Sequence, residues 1–154
     1  MQRHLAAVAV SLACILLVAT PARASDSIYL TAPRALGAQK VSTASDARAY
    51  RMDVARYVYE SYPTRIWKGR LPPLIHAVVV VETTVDGSGH PRSVQLVRGP
   101  SHAPDVSLAV METIKRLSPL PSPTRHAAGV KFTEIWLVHK NGQFQLDALT
   151  EGQN

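Results

Sequence analysis

The sequence predicts an α+β domain in which a small antiparallel sheet is packed by two helices, with elements in the order helix-β-β-α-β-β. Three observations predict it. A β-branched run at Val78–Val81 continues into Glu82–Val85, and a turn signal and a second apolar stretch follow. A helical stripe is formed by Val106, Val110, Ile114 and Leu117. Asn141-Gly142 stands between two further apolar stretches and marks a hairpin.

The elements are justified in chain order. Leu5–Ala19 is an almost unbroken apolar run preceded by Arg3 and followed by Ala22 and Ala24, which reads as a secretory signal peptide (residues 1–24) cleaved after Ala24. The run is short for a spanning helix, so a membrane is a partner only if this segment stays uncleaved. Cys14 lies inside that run, and the mature chain would hold no cysteine and no disulfide. Residues 25–45 are polar, contain Pro33 and Gly37 and show no period, so they read as a flexible lead. Ser45 or Asp46 caps the first helix, whose apolar face is Tyr50, Val54, Tyr57, Val58 and Ser61. Surface pairs Asp53–Arg56 and Arg56–Glu60 fit its outer side, and Pro63 ends it. Trp67 reads as a cap on the core.

The strand from Val78 is expected to be central, with Asp86–Gly89 as its turn and Ser93–Val97 as its partner strand behind Pro91. Asp105 or Ser107 is expected to cap the second helix, and Pro119, Pro121 and Pro123 stop it. A two-residue type I′ loop at Asn141-Gly142 would set Lys140 opposite Gln143 and Leu137 opposite Leu146. That register puts Ile135, Leu137, His139, Phe144, Leu146 and Ala148 on the core face. It leaves Trp136, Val138, Gln143, Gln145 and Asp147, with Glu134, on the open face. The expected core is Val78, Val80, Val110, Ile114, Ile135, Leu137 and Leu146. The domain spans 46–149, and 150–154 is a tail.

The formal net charge is +6, and without Arg3 and Arg23 the mature chain would carry 15 basic and 11 acidic residues, a net of +4. The basic residues are dispersed, which describes a solvated surface and not a nucleic-acid stripe. No nucleophile elbow, phosphate loop, dinucleotide fingerprint or zinc spacing occurs. His76, His90, His102, His126 and His139 show no ligand spacing on a helix, so neither a metal nor a cofactor is expected. Ser88 near His90 and Ser101 beside His102 are neighbours in sequence only, which is weak support for a hydrolase.

The stretches "YPTRIWKG", "VVVVETTVDGSGHPRSVQLVRGPSHAP", "VSLAVMETI" and "PLPSP" resemble the TonB/TolA C-terminal domain family over residues 46–149. Val85-Asp86 and Gly89 correspond to its turn, and Val106–Ile114 to its helix, with Ser107 in place of the usual Asp. The resemblance implies a periplasmic, non-enzymatic domain that binds an extended segment of an envelope or outer-membrane protein by strand addition. The docking residues expected on that basis are Trp136, Val138, Gln143, Gln145 and Asp147, along the Gln143–Leu149 edge. An open edge also permits a homodimer. Energy-transducing members carry a membrane anchor and a long Pro-rich spacer, and the short lead here departs from both. Two alternatives stand beside this reading. One is an anchored transducer of the TonB kind; the other is a small secreted enzyme or inhibitor using the loops around His90 and His102.

Overall fold

A computed structural model of the chain describes residues 29, 32–150 and 152. The expected signal peptide lies outside the described residues. Eight regular elements follow in order: β1 (Val41–Ser42), α1 (Ala47–Ser61), β2 (Ala77–Val85), β3 (Pro91–Arg98), α2 (Pro104–Arg116), β4 (Ser122–Pro123), β5 (Val130–Val138) and β6 (Phe144–Leu146). A short 3-10 turn, Asp147–Leu149, closes the chain. The fold is α+β, with both helices packed on one antiparallel sheet of order β3-β2-β5-β6. Within the segment read as a lead, Val41–Ser42 forms a separate two-stranded parallel ladder with β4.

Helix α1 forms where its apolar spacing places it. The Asp46 side chain accepts a hydrogen bond from the Ala49 N–H (2.8 Å), and the helix stops two residues before Pro63. Tyr50, Val54, Ala55, Val58 and Ser61 are buried along one side. Asp53 pairs with Arg56 (2.9 Å), whereas Glu60 pairs with Lys40 (3.3 Å), not with the expected Arg56. Helix α2 begins earlier than expected. Ala103 is its N-cap with no side-chain hydrogen bond, and Pro104 occupies the first turn, where its missing N–H costs nothing. Asp105 lies inside the first turn and Ser107 is buried, so neither caps the helix.

The sheet overturns the expected division of faces. In β2 the buried residues are Ala77, Val79, Val81, Thr83 and Val85, while Val78 and Val80 are half-buried on the opposite face. In β5 the core side is Val130, Phe132, Glu134, Trp136 and Val138. Ile135 and Leu137 take the other face, opposite Val80 and Val78. Of the expected core, Val110, Ile114 and Leu146 are buried; Val78, Val80, Ile135 and Leu137 are not on the helix-packed side.

The cause is the β5–β6 turn. The ladder pairs Trp136 with Leu146, Leu137 with Gln145 and Val138 with Phe144, one residue away from the type I′ register. His139 donates to the Gln143 carbonyl (2.8 Å) and Gly142 donates to the His139 carbonyl (2.9 Å). Gly142 alone takes positive φ (84°), so Lys140, Asn141 and Gly142 form a three-residue loop. A type I′ turn would need positive φ at Asn141 too. Instead the Asn141 Oδ1 accepts from the Gln143 N–H (3.0 Å), which favours the longer loop. A shift of one residue exchanges the faces of the β5 residues relative to β6, so Phe144 and Leu146 stay on the core side and Trp136 and Val138 join them.

Candidate docking edge

A four-stranded sheet has two outer edges, and their condition decides where another strand can be added. The β6 edge is occupied. Phe144 donates to the Arg65 carbonyl (2.8 Å) and accepts from the Trp67 N–H (3.0 Å), so segment 65–67 runs beside β6 as a short parallel strand. The Leu146 N–H donates to the Tyr59 hydroxyl (3.1 Å). Arg65 holds this closure. Its guanidinium, buried to 9 % exposure, donates twice to the Gly142 carbonyl (3.1 and 2.7 Å) and once to the Tyr29 carbonyl (2.6 Å). It also lies 5.3 Å from the Phe144 ring centre. Burial pulls its pKa down, yet arginine keeps its charge.

The residues read as a docking face are therefore distributed differently. Trp136 and Val138 are core residues, each 2 % exposed, and Trp136 packs on Phe144 with ring centres 4.7 Å apart. Gln145 is buried beneath the loop after α1, and its amide donates to the carbonyls of Trp67 (3.0 Å) and Gly69 (2.7 Å). Gln143 is half-buried in the turn. Asp147 reaches solvent but pairs with Arg51 (2.8 Å). The expected continuous open face along Gln143–Leu149 does not form, because the register shift sends Trp136 inward and segment 65–67 covers the edge. Trp67 is half-buried, donates to the Arg70 carbonyl (3.1 Å) and lies against His139.

The β3 edge is free. Among the described residues, no backbone hydrogen bond leaves β3 except toward β2. Its central stretch, Ser93–Leu96, pairs regularly with Val81–Thr84 between two register shifts. Leu96 and Val97 are 44 % and 59 % exposed, and Leu108 on α2 is 64 % exposed. Gly99 lets the chain turn from β3 onto α2, because a Cβ there would run into the Ser107 hydroxyl. Arg98 forms no ion pair among the described residues, whereas Arg92 is held by Asp86 (3.2 Å). The edge thus offers unpaired backbone, aliphatic side chains and the Arg98 cation. Leu96 and Val97 were within the expected partner strand, but nothing in their identity marks that strand as the outermost one.

His90 lies near Asp86 (3.8 Å), away from His102, whose Nε2 meets the His76 carbonyl (2.9 Å). Neither Ser88 with His90 nor Ser101 with His102 makes a hydroxyl–imidazole hydrogen bond among the described residues. No group of three His, Cys, Asp or Glu side chains among the described residues is placed to hold a metal ion. Glu134 is the buried carboxylate, bound by Arg51 through two hydrogen bonds (3.1 and 2.9 Å). Burial raises its pKa above the usual range, against the pull of Arg51 and the Ile135 N–H.

No family model, curated protein or solved structure matches the chain.

Proposed function

We propose that this domain is a non-enzymatic protein-binding module that receives an extended segment of a partner by strand addition along β3. The observation that carries the reading is the contrast between the two edges: the outer side of β6 is paired with segment 65–67, and the outer side of β3 is unpaired over Pro91–Arg98. An added strand gains backbone hydrogen bonds from β3 and side-chain contact from the exposed Leu96 and Val97, one on each face of the sheet. The edge carries its own safeguards against indiscriminate pairing, with Pro91 at its start, two register shifts and two arginines. Those features leave the regular four-residue stretch Ser93–Leu96 as the docking track. Arg98 at its end favours a segment with acidic character.

We infer further that the domain is of the TonB/TolA C-terminal type and acts in the cell envelope after export. Support comes from the turn residues Val85-Asp86 and Gly89, the α2 sequence and the sequence of Leu5–Ala24. Among the described residues no helix is long and apolar enough to cross a membrane. A photo-crosslinking residue placed at Gln95 and, separately, at Gln145 tests the docking reading in cells. Adducts are expected at Gln95 and not at Gln145. Adducts absent from Gln95, or appearing equally at both positions, overturn it.

A further inference from the structure

The loop before β2, the β5–β6 turn and His102 from the loop after β3 line a cleft of about 540 Å³ that the docking reading does not use. It is lined by His76, His102, His139 and Lys140 together with Pro72, Pro73, Leu74 and Ile75. Four nitrogen-bearing side chains thus line it with no carboxylate among them. The volume falls within the range of small-molecule sites.

The polar side is already arranged. His102 is fixed by the hydrogen bond between its Nε2 and the His76 carbonyl (2.9 Å), and the two imidazoles meet edge to face with centres 5.5 Å apart. His139 lies against Trp67 (4.6 Å), and its Nδ1 accepts from the Asn141 N–H (3.3 Å), which leaves Nε2 as the donor. Lys140 is exposed at the turn and free to bring its ammonium over the cleft. The apolar side is stiff, because both prolines have fixed φ. Leu74 stands 90 % exposed at the rim, a position with no role in the core. Pre-positioned donors and a rigid wall lower the ordering cost of binding.

We propose that this cleft binds a small organic acid, with its carboxylate on Lys140 and the His139 Nε2–H and its aliphatic body along Pro72, Pro73 and Leu74. The charge on one wall selects an anion, and the apolar wall distinguishes an organic acid from an inorganic ion. The site is separate from the β3 edge and stands or falls independently of it.

Hexanoate is the probe, titrated into the full chain at neutral pH while the histidine ring resonances are followed by NMR. The ring signals of His76, His102 and His139 are expected to move, while those of His90 and His126, outside the cleft, stay in place. Acetate, inorganic phosphate and hexanol are each expected to bind more weakly than hexanoate. Lys140→Gln should weaken hexanoate about fivefold, the scale of one exposed charge contact. Leu74→Ser should weaken hexanoate and leave acetate unchanged, and both variants should unfold at the parent's urea midpoint. Equal movement of the His76, His90, His102, His126 and His139 signals overturns the proposal, as does phosphate or hexanol binding as tightly as hexanoate. So does a Lys140→Gln protein that binds like the parent.

Discussion

Replacing Trp136 by alanine separates the two possible registers of the last hairpin. In the structure the indole is 2 % exposed, packs on Phe144 and lines a void of only about 10 Å³ between the helices and the sheet. Truncation enlarges that void, and a buried Trp→Ala change of this kind costs about 3–5 kcal/mol. Phenylalanine should behave differently. The indole Nε1 has no hydrogen-bond partner among the described residues, and an unpaired buried donor carries a penalty of about 1–3 kcal/mol. Removing it offsets the loss of the two ring carbons that go with it, about 0.8 kcal/mol each. Trp136→Phe should therefore lie within about 1 kcal/mol of the parent. Urea unfolding gives both values, provided the slope with denaturant is unchanged. In a Trp67→Phe background the remaining emission should be that of an indole shielded from water. A cost below about 1 kcal/mol for Trp136→Ala, with water-exposed emission, would refute the buried assignment and restore the shorter turn.

Arg51→Ala leaves Glu134 charged and unpaired in the core and should cost about 3 kcal/mol at neutral pH. The folded-state pKa of Glu134 is raised, so its contribution to stability is full in acid below the ordinary carboxylate range. That contribution is lost as pH rises through the folded value. The Arg51→Ala deficit should accordingly shrink in mild acid, and Glu134→Gln should remove that pH dependence, both read from urea midpoints across pH. Gly89→Ala should destabilise by at least about 2 kcal/mol in the same assay, because Gly89 has φ of 83° and an added Cβ meets the Leu120 carbonyl. Ile114→Ala, at a buried position of α2, should cost about 2–5 kcal/mol; a negligible loss would show the helix stripe to be misassigned.

The helices and the Asp86–Gly89 turn were legible in the sequence because their signals are local. Asp46, the Tyr50–Ser61 spacing and Pro63 define α1 without help from the rest of the chain. The same is true of the α2 stripe, although Pro104 moved its start past the more familiar capping residues. The sheet faces were harder because two local signals disagreed. Lys131, Phe132 and Thr133 alternate in a way that sends Phe132 inward, and the same parity carries Trp136 inward. Glu82 and Thr84 likewise point Val79 and Val81 into the core. Asn141-Gly142 argued for the opposite parity in β5, and Glu134 concealed the true one by putting a carboxylate on the buried side. Arg51, far away on α1, is the charged partner that makes that carboxylate tolerable, and a contact of that range has no local signature.

The same long-range chemistry decides which edge of the sheet remains available. Arg65 captures the Gly142 carbonyl that the three-residue turn presents, and in doing so lays residues 65–67 against Phe144. Turn register and edge closure are therefore one event. Phe144 faces the core in this register, and its N–H and carbonyl are free to meet Arg65 and Trp67 on the far side. Gln145, turned to the opposite face, ties down the continuation of that segment through the carbonyls of Trp67 and Gly69. With β6 sealed from both directions, the unpaired backbone among the described residues lies on β3 and on the part of β5 that the three-residue β6 does not reach, residues 130–135. Strand β3 carries exposed Leu96 and Val97 on an otherwise polar margin. An isolated exposed leucine on a protein surface has little meaning. Two adjacent aliphatic residues on the free edge, with Leu108 also exposed on the helix packed beside that strand, give an incoming strand apolar surface to bury.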